Sequence, residues 1–288
     1  MSHAPLKKST VLTIKNPLTV IITTHNEAPN IVAALDSVAD WATEIIVVDS
    51  YSDDGTWEIL KNYGGLRLFR RHYAGPADQK NWAIRQASHE WILLMDADER
   101  ATAALWAEIG YWLTVNGYWS SDAQPNTQNQ SRESGLKTDY NCFWIGFEHY
   151  FMGQRVRFSG WQNDKTIRLI RRDKCRYNSN QVHEEILTEG LQVGALQEKF
   201  LHFTYRDIRH FVAKQARYAA WSAEDYETKT GKITLFHLIV KPIARFFKHY
   251  VLRFGFLDGR AGLFIAAIAA WTVRLRYVKI LENRRLKS

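Results

Sequence analysis

The sequence predicts an α/β protein: a mostly parallel sheet flanked by helices, followed by a basic, amphipathic helical region. Three observations predict it. Short β-branched and aliphatic runs alternate with helix-length amphipathic stretches over residues 18–96. Polar and acidic residues collect directly after those runs. The last fifth of the chain carries all of the net positive charge. At 288 residues, 46% hydrophobic and 24% charged, the chain is long enough for one enzyme-sized domain with an accessory region.

Leu18-Thr19-Val20-Ile21-Ile22-Thr23 reads as a strand and ends in Thr24-His25-Asn26-Glu27. A helix follows from about Pro29, a residue suited to the first helical position, to Asp40. Glu44-Ile45-Ile46-Val47-Val48 is the second strand and closes on Asp49-Ser50-Tyr51-Ser52-Asp53-Asp54-Gly55-Thr56. A helix through Trp57, Leu60 and Tyr63, a short strand Leu66-Arg67-Leu68-Phe69 and a helix from Asp78 to Ala87 lead to the apolar run Trp91-Ile92-Leu93-Leu94-Met95. Strands separated by helices of this length form parallel sheets with right-handed crossovers. Such sheets bind ligands beyond the carboxyl ends of their strands. Asn26, Glu27, Asp49, Asp53, Asp96 and Asp98 therefore converge on one edge.

Asp96-Ala97-Asp98-Glu99 ends the Trp91 run. Just past a strand the chain can turn, so one carboxylate can reach a divalent cation while the other orients it or contacts a ligand. Hard oxygen donors and a partly open shell suit Mg²⁺ or Mn²⁺ bridging a diphosphate. The same residues also suit a helix start, with Asp98 or Thr102 as the cap.

The T-H-N-E turn, the V-V-D-S-Y-S-D-D-G-T segment, Gln79-Lys80-Asn81 and the D-A-D-E together make residues 18 to about 116 resemble a family 2 glycosyltransferase of the GT-A fold. A Rossmann dehydrogenase would have a Gly-rich first turn, and a P-loop is absent. The resemblance implies a nucleoside-diphosphate-sugar donor, a UDP-sugar, with Thr24, Asn26 and Glu27 on its side of the cleft. It assigns Asp49 to the base or ribose, Asp53 to the nucleoside pocket, Lys80 to the diphosphate, and Asp96 and Asp98 to the ribose and metal. Asp53-Asp54-Gly55-Thr56 can at the same time be a turn with an N-cap. For Lys80 the alternative is a solvated helix residue.

Residues 117–139 form a polar stretch without periodicity, either a surface excursion or a lid. Tyr140 to Phe147 and Thr166 to Arg172 resume strand patterns. Gln181-Val182-His183-Glu184-Glu185 follows. Its V-H-E, the preceding R-L-I-R-R and the later F-L-D-G-R-A-G-L resemble the lipopolysaccharide-core branch of the family. The resemblance implies an acceptor-side carboxylate that takes the acceptor hydroxyl proton during inversion. Glu184 leads, with Glu185 and Asp164 as alternatives. His183 is assigned to metal or diphosphate, the alternative being a structural hydrogen-bonded pair with Glu184. Arg168 and Arg171 could neutralise the leaving diphosphate, but three residues apart on a strand they lie on opposite faces, so at most one faces the site.

From Lys232 to Ser288 there are twelve Lys+Arg against Asp258 and Glu282. The rest of the chain holds 26 basic and 28 acidic residues. The uncharged run Ala261 to Val273 is shorter than the ~20 residues a spanning helix needs. Basic and aromatic amphipathic helices suit an anionic membrane surface better than nucleic acid. A packed helical subdomain is the alternative. Cys142 and Cys175 have no metal-ligand spacing and read as buried thiols. The first 17 residues lack a signal-peptide core and read as an arm.

The expected organisation is thus an arm at 1–17, a nucleotide-sugar half at 18–116, the polar insertion at 117–139, an acceptor half at 140–200 and a helical membrane-associated region at 201–288. The expected activity is inverting, metal-dependent transfer of a sugar to a lipid-linked saccharide such as lipopolysaccharide inner core, at the cytoplasmic face of a bacterial inner membrane. The alternatives are a polyprenyl-phosphate glycosyltransferase, or a non-catalytic glycan- or nucleotide-binding protein on the same scaffold.

Overall fold

The computed structural model describes residues 16–115, 139–178, 184–205 and 207–287. In the first half β1 (Asn16–Thr24), β2 (Ala42–Asp49), β3 (Arg67–Arg70) and β4 (Trp91–Asp96) pair in parallel in the order β3-β2-β1-β4. The crossovers are α1 (Ala28–Asp36), α2 (Thr56–Tyr63) and α3 (Pro76–Gln86). Both sheet faces are covered, which is why these strands are continuous apolar runs. Val20, Ile22, Val47, Leu93 and Met95 pack with Ile31 and Leu35 of α1, whereas Ile21, Ile46, Val48, Ile92 and Leu94 pack with Ala83 and Ile84 of α3. The two-residue period thus sorts one run onto two cores.

α1 stops at Asp36 instead of reaching Asp40, and residues 37–41 turn back toward the sheet with Val38 buried. In the second half β5 (Glu99–Arg100) precedes α4 (Ala103–Val115), followed by β6 (Cys142–Phe151), β7 (Gln154–Val156), β8 (Lys165–Arg171) and β9 (Val193–Tyr205). The first half is wholly parallel and the second half is mixed. No helix separates β6, β7 and β8, so the chain doubles back antiparallel. β8 lies antiparallel between β4 and β6, β9 runs parallel to β6, and β5 closes the far edge antiparallel to β9. β9 crosses residue 200, so the sheet continues into the segment expected to begin the helical region. Of the insertion expected at 117–139, residues 117–138 lie outside the described residues. Cys142 and Cys175 are free and buried, as expected.

The helical region consists of α5 (Ile208–Glu227), α6 (Lys241–Phe247) between two wider helical turns, and α7 (Gly259–Lys287). It docks through Phe151, Val156, Tyr205, Phe211, Ala261 and Ile265. Gly262 permits the closest crossing, since a Cβ there would lie 1.8 Å from the Gly255 carbonyl oxygen. The uncharged run is not a separate short element. It belongs to one helical stretch, Gly255–Lys287, long and apolar enough to cross a bilayer by length and composition, with 39% of its most apolar window buried inside the protein.

Candidate active site

The turns after β1 and β2 are stitched into one wall. Asn26 N–H donates to Ser52 Oγ (2.9 Å), Asp53 N–H to Asn26 Oδ1 (2.9 Å), Glu27 N–H to Thr56 Oγ1 (2.9 Å) and Ala28 N–H to Asp54 Oδ2 (3.0 Å). Asn26 adopts φ 57°, a left-handed conformation that Asn tolerates. Asp54 also accepts from Thr56 N–H (3.0 Å), so it does the capping. That leaves Asp53 exposed at the rim. Glu27 holds Asn30 Nδ2 (2.7 Å), and the Thr24 hydroxyl is buried beneath the wall without a hydrogen-bond partner.

Asp49, assigned to the base or ribose, is held inside the loop. It is 0% exposed and accepts from Ser52 N–H (3.1 Å), Ser52 Oγ–H (2.5 Å) and Arg70 Nε (3.2 Å). Its task is to shape the loop. Arg70 in turn lies over the rings of Tyr51 (5.0 Å) and Trp57 (4.7 Å), and Tyr51 stacks on His72 at 4.2 Å. This half-exposed aromatic rim is a surface on which a planar base can stack.

Gln79, Lys80 and Asn81 at the start of α3 each reach a different element. Gln79 Nε2 donates to Ser50 Oγ (3.0 Å). Asn81 grips the Tyr177 backbone, donating to its carbonyl (3.0 Å) and accepting its N–H (2.9 Å). A bridge between Tyr177 and Ile186 then returns the chain. Glu184 Oε1 consequently meets Lys80 Nζ at 3.0 Å, and Asp96 Oδ1 lies 3.8 Å from the same ammonium. At 7% exposure Lys80 is not a solvated helix residue. Burial works against its charge, but Asp96 outweighs it and holds the ammonium above its ordinary value. Glu185 is exposed; its carbonyl accepts the Asn178 N–H (2.9 Å) and its N–H donates to Asn178 Oδ1 (3.4 Å), so only its backbone is engaged.

Asp96 ends β4, where Thr23 Oγ1 (3.1 Å) and the Arg168 guanidinium (2.6 Å) donate to it. Arg168 also binds Glu99 (2.5 Å) and is itself 5% exposed. It therefore stands behind Asp96 and does not open onto a diphosphate, so any part in donor binding is indirect. Arg171 points away, to Glu90 (2.6 Å) and Asp139 (2.9 Å). Asp98 is not the helix cap, because Thr102 Oγ1 accepts Leu105 N–H (3.1 Å). Instead β5 pairs Glu99 with His202, and Phe203 N–H donates to the Asp98 carbonyl (2.8 Å). The His202 Nε2 thereby lies 3.4 Å from Asp98 Oδ2. His149, opposite His202 on β6, lies 3.2 Å from Asp164 Oδ2. The result is a line Asp98–His202–His149–Asp164.

The charges are unevenly settled. Burial raises each carboxyl, but Arg168 and Lys80 outweigh it at Asp96, and His202 outweighs it at Asp98, so both stay below the usual carboxylate range. Glu99 shares Arg168 with Asp96 and is pushed up to about 7 by burial, with the Asp96 charge adding to it. Burial disfavours the His202 charge, yet Asp98 raises it above the ordinary imidazole value. Among the described residues no group of three His, Cys, Asp or Glu could hold a metal. Asp98 Oδ2 and His202 Nε2, 3.4 Å apart, are the two side-chain donors that would hold a divalent cation there. His183 lies outside the described residues.

The sequence profile of Glycosyl transferase family 2 matches residues 19–177, more than half of the chain. The chain is a family 2 glycosyl transferase. Over nearly its whole length it is similar to the lipopolysaccharide core biosynthesis glycosyltransferase LpsC of Rhizobium meliloti (strain 1021), at 29% identity across 95% of each chain. An uncharacterized glycosyltransferase of Rickettsia felis is 26% identical over 92% of this chain and 90% of its own. The crystal structure of S. aureus TarS 1-349 in complex with UDP-GlcNAc aligns over 94% of this chain and 92% of that one, with 14% identity and a TM-score of 0.45.

In this glycosyltransferase, sequence reasoning located Asn26, Glu27, Lys80, Asp96, Asp98 and Glu184 at one edge. It missed Glu99 as the second carboxylate on Arg168, and His149 and His202 altogether. The available signal was histidine near the ends of two strand-like runs, each in a segment that alternates with aromatics. What brings them together is the β6–β9 pairing, invisible at a separation of about fifty residues.

Glu99 gives a stability prediction. Its folded-state value of about 7 lies above the ordinary 4.5, so between those values the folded protein binds more protons than the unfolded chain. Stability must then fall as pH rises through that window, by roughly 3 kcal/mol at most. His202, raised by Asp98, acts in the same direction, its contribution being lost as pH rises through its folded value. The Tm should drop between pH 5 and pH 8, and Glu99→Gln should shrink the drop. An unchanged Tm–pH curve in Glu99→Gln would show that Glu99 does not ionise there.

Proposed function

We propose that this enzyme is an inverting, metal-dependent glycosyltransferase that moves a sugar from a UDP-sugar to a lipid-linked saccharide, such as lipopolysaccharide inner core, at the cytoplasmic face of a bacterial inner membrane. One observation carries the reading: Lys80 beside Asp96, and His202 beside Asp98, gather where β1 and β4 end. Mg²⁺ or Mn²⁺ held by Asp98 and His202 would neutralise charge on the leaving diphosphate. Asn26, Glu27, Asp53 and the Tyr51 rim line the nucleoside side, and Arg168 holds Asp96 in place. The incoming diphosphate competes with Glu184 for the Lys80 ammonium. As Lys80 swings to the phosphates, the Glu184 carboxylate is freed to accept the acceptor hydroxyl proton. The name of the Rhizobium meliloti relative supports lipopolysaccharide core as the acceptor class.

A non-catalytic binding protein would have no use for this paired arrangement of carboxylates and cations. A polyprenyl-phosphate acceptor is already ionised and needs no base. Purified protein screened against a panel of nucleotide sugars, with and without EDTA, tests the reading. No donor turnover or hydrolysis with any sugar would overturn it.

The helical region supports membrane contact. Leu235, Phe236, Ile243, Phe247, Leu252 and Leu257 are exposed by 51–72%. Lys232, Lys241, Arg245, Lys248 and Arg253 are interleaved with them. Asp258 is the sole carboxylate between residues 228 and 281, and it is buried, accepting from the N–H groups of Arg157 (2.9 Å) and Phe158 (3.0 Å) and from Ser159 Oγ (2.7 Å). Between residues 228 and 281 no exposed acid therefore opposes an anionic surface, where each cation contributes ~1 kcal/mol and buried apolar groups add to it. The protein should sediment with anionic vesicles at low salt and be partly released at high salt, and a chain ending at Thr230 should lose the interaction. Indifference of the full chain to anionic vesicles at low ionic strength would mean that the helices are only a packed subdomain.

A further inference from the structure

Beside the Asp98–His202–His149–Asp164 line lies a cleft of ≈ 260 Å³, walled by Phe147, Glu148, Arg155, Arg157, Trp161 and Lys199. It shares its walls with the site. Phe147 packs on His202 (5.1 Å between ring centroids) and on His149 (5.7 Å), and Trp161 packs on His149 (5.2 Å). Asp164 belongs to the same loop as Trp161, and its N–H donates to the Trp161 carbonyl (3.1 Å). A group bound in the cleft is thus one ring away from the two histidines.

Its charge is unbalanced. Arg155 is neutralised by Glu148 at 2.5 Å. Arg157 and Lys199 have no carboxylate partner among the described residues. Both are nevertheless placed by the fold. The Arg157 N–H is held by the buried Asp258 carboxylate (2.9 Å). The Lys199 stem crosses Gly146 on the neighbouring strand, where a Cβ would come within 3.4 Å of it. Two unpaired cations and an indole therefore line one recess. A neutral sugar could stack on the indole but would leave both cations unanswered. An anion answers the cations, and an attached sugar ring covers the aromatic wall.

We propose that this cleft is an acceptor subsite for a saccharide carrying a phosphate or carboxylate, with Arg157 and Lys199 as its anion contacts and Trp161 as its stacking wall. The proposal rests on the saccharide-acceptor reading above and narrows it to an anionic saccharide. The phosphate of a lipid headgroup has the same charge chemistry, so the test must separate the two sources.

Saturation-transfer NMR on the full-length protein, with Mg²⁺ and saturating UDP filling the donor pocket, separates them with four probes: glucose 6-phosphate, glucuronate, glucose and glycerol 3-phosphate. Glucose 6-phosphate and glucuronate should give signals that glucose and glycerol 3-phosphate do not. The double variant Arg157→Ala/Lys199→Ala should weaken the two positive probes by at least about tenfold while leaving UDP binding intact. Equal signals from glucose would overturn the anionic part, and equal signals from glycerol 3-phosphate would overturn the saccharide part. Signals that survive in the double variant, or no signal from any probe, would overturn the subsite. Failure of UDP itself to bind would instead strike the donor reading, so the two failures are told apart.

Discussion

Asp98→Asn should reduce sugar transfer by on the order of 10³-fold, the upper range for losing a single electrostatic contact to transition-state charge. Asn keeps the shape of the side chain and removes the charge that holds a hard cation. The fold should survive, because the β5–β9 pairing and the hydrogen bond from Phe203 use the backbone of this turn and not the carboxylate. His202→Ala should give a similar loss, since its Nε2, 3.4 Å from Asp98 Oδ2, would be the second donor to the same ion. The signature lies in UDP affinity. In the wild type Mg²⁺ should tighten it and EDTA should weaken it, whereas in either variant the two conditions should give the same value. Full wild-type turnover in excess EDTA would defeat the metal assignment, and a His202→Ala variant that still tightens on UDP with Mg²⁺ would remove that residue from it.

The legible part of the molecule is the part where neighbours in sequence are neighbours in space. β1 to β4 and their helices follow from runs and caps that a reader meets in order, because a parallel β/α unit pairs each strand through a local crossover. Even there Asp49 carries more than its sequence position shows. An acid at the end of a strand looks like a ligand contact, and only the Ser52 and Arg70 bonds reveal a loop anchor. Lys80, assigned to the diphosphate with a solvated helix residue as the alternative, is buried by the packing of α3 against Asp96 and Glu184. In the second half the strands at 140–147 and 166–172 were legible, but their pairing was not, for a topological reason. β8 inserts between β4 and β6, and β9 returns beside β6, so Arg168, His149 and His202 reach the D-A-D-E through pairings that no local period encodes. The uncharged run in α7 was measured by its charges, whereas helix length is set by capping and packing, which continue through Arg274.

Glu184→Gln should lower turnover by about 10²- to 10⁴-fold, the usual contribution of a general base, while donor binding is kept or tightened because the Glu184 carboxylate no longer competes for Lys80. The substitution leaves the local fold in place, because Asn81 grips the Tyr177 backbone and the Tyr177–Ile186 bridge returns the chain without help from the Glu184 side chain. Asp164→Asn is the necessary companion. That carboxylate lies beside His149 and the cationic cleft, within the same acceptor half, and its hydrogen bond to His149 holds it below the usual carboxylate range, which makes it a weaker base than an unpaired carboxylate. On the proposed mechanism the diphosphate takes the Lys80 ammonium from Glu184, so the basicity of Glu184 should appear when the donor is bound. The order of binding then matters: donor first, acceptor second, visible as acceptor turnover that requires prior donor saturation. Glu185→Gln should be near neutral, since that side chain is exposed and only its backbone is engaged. Loss of turnover in Asp164→Asn with near-normal turnover in Glu184→Gln would move the base to the histidine side of the site. Near-normal turnover in both variants would mean that the acceptor arrives already ionised, as a phosphate does, and the enzyme would then belong with the polyprenyl-phosphate transferases.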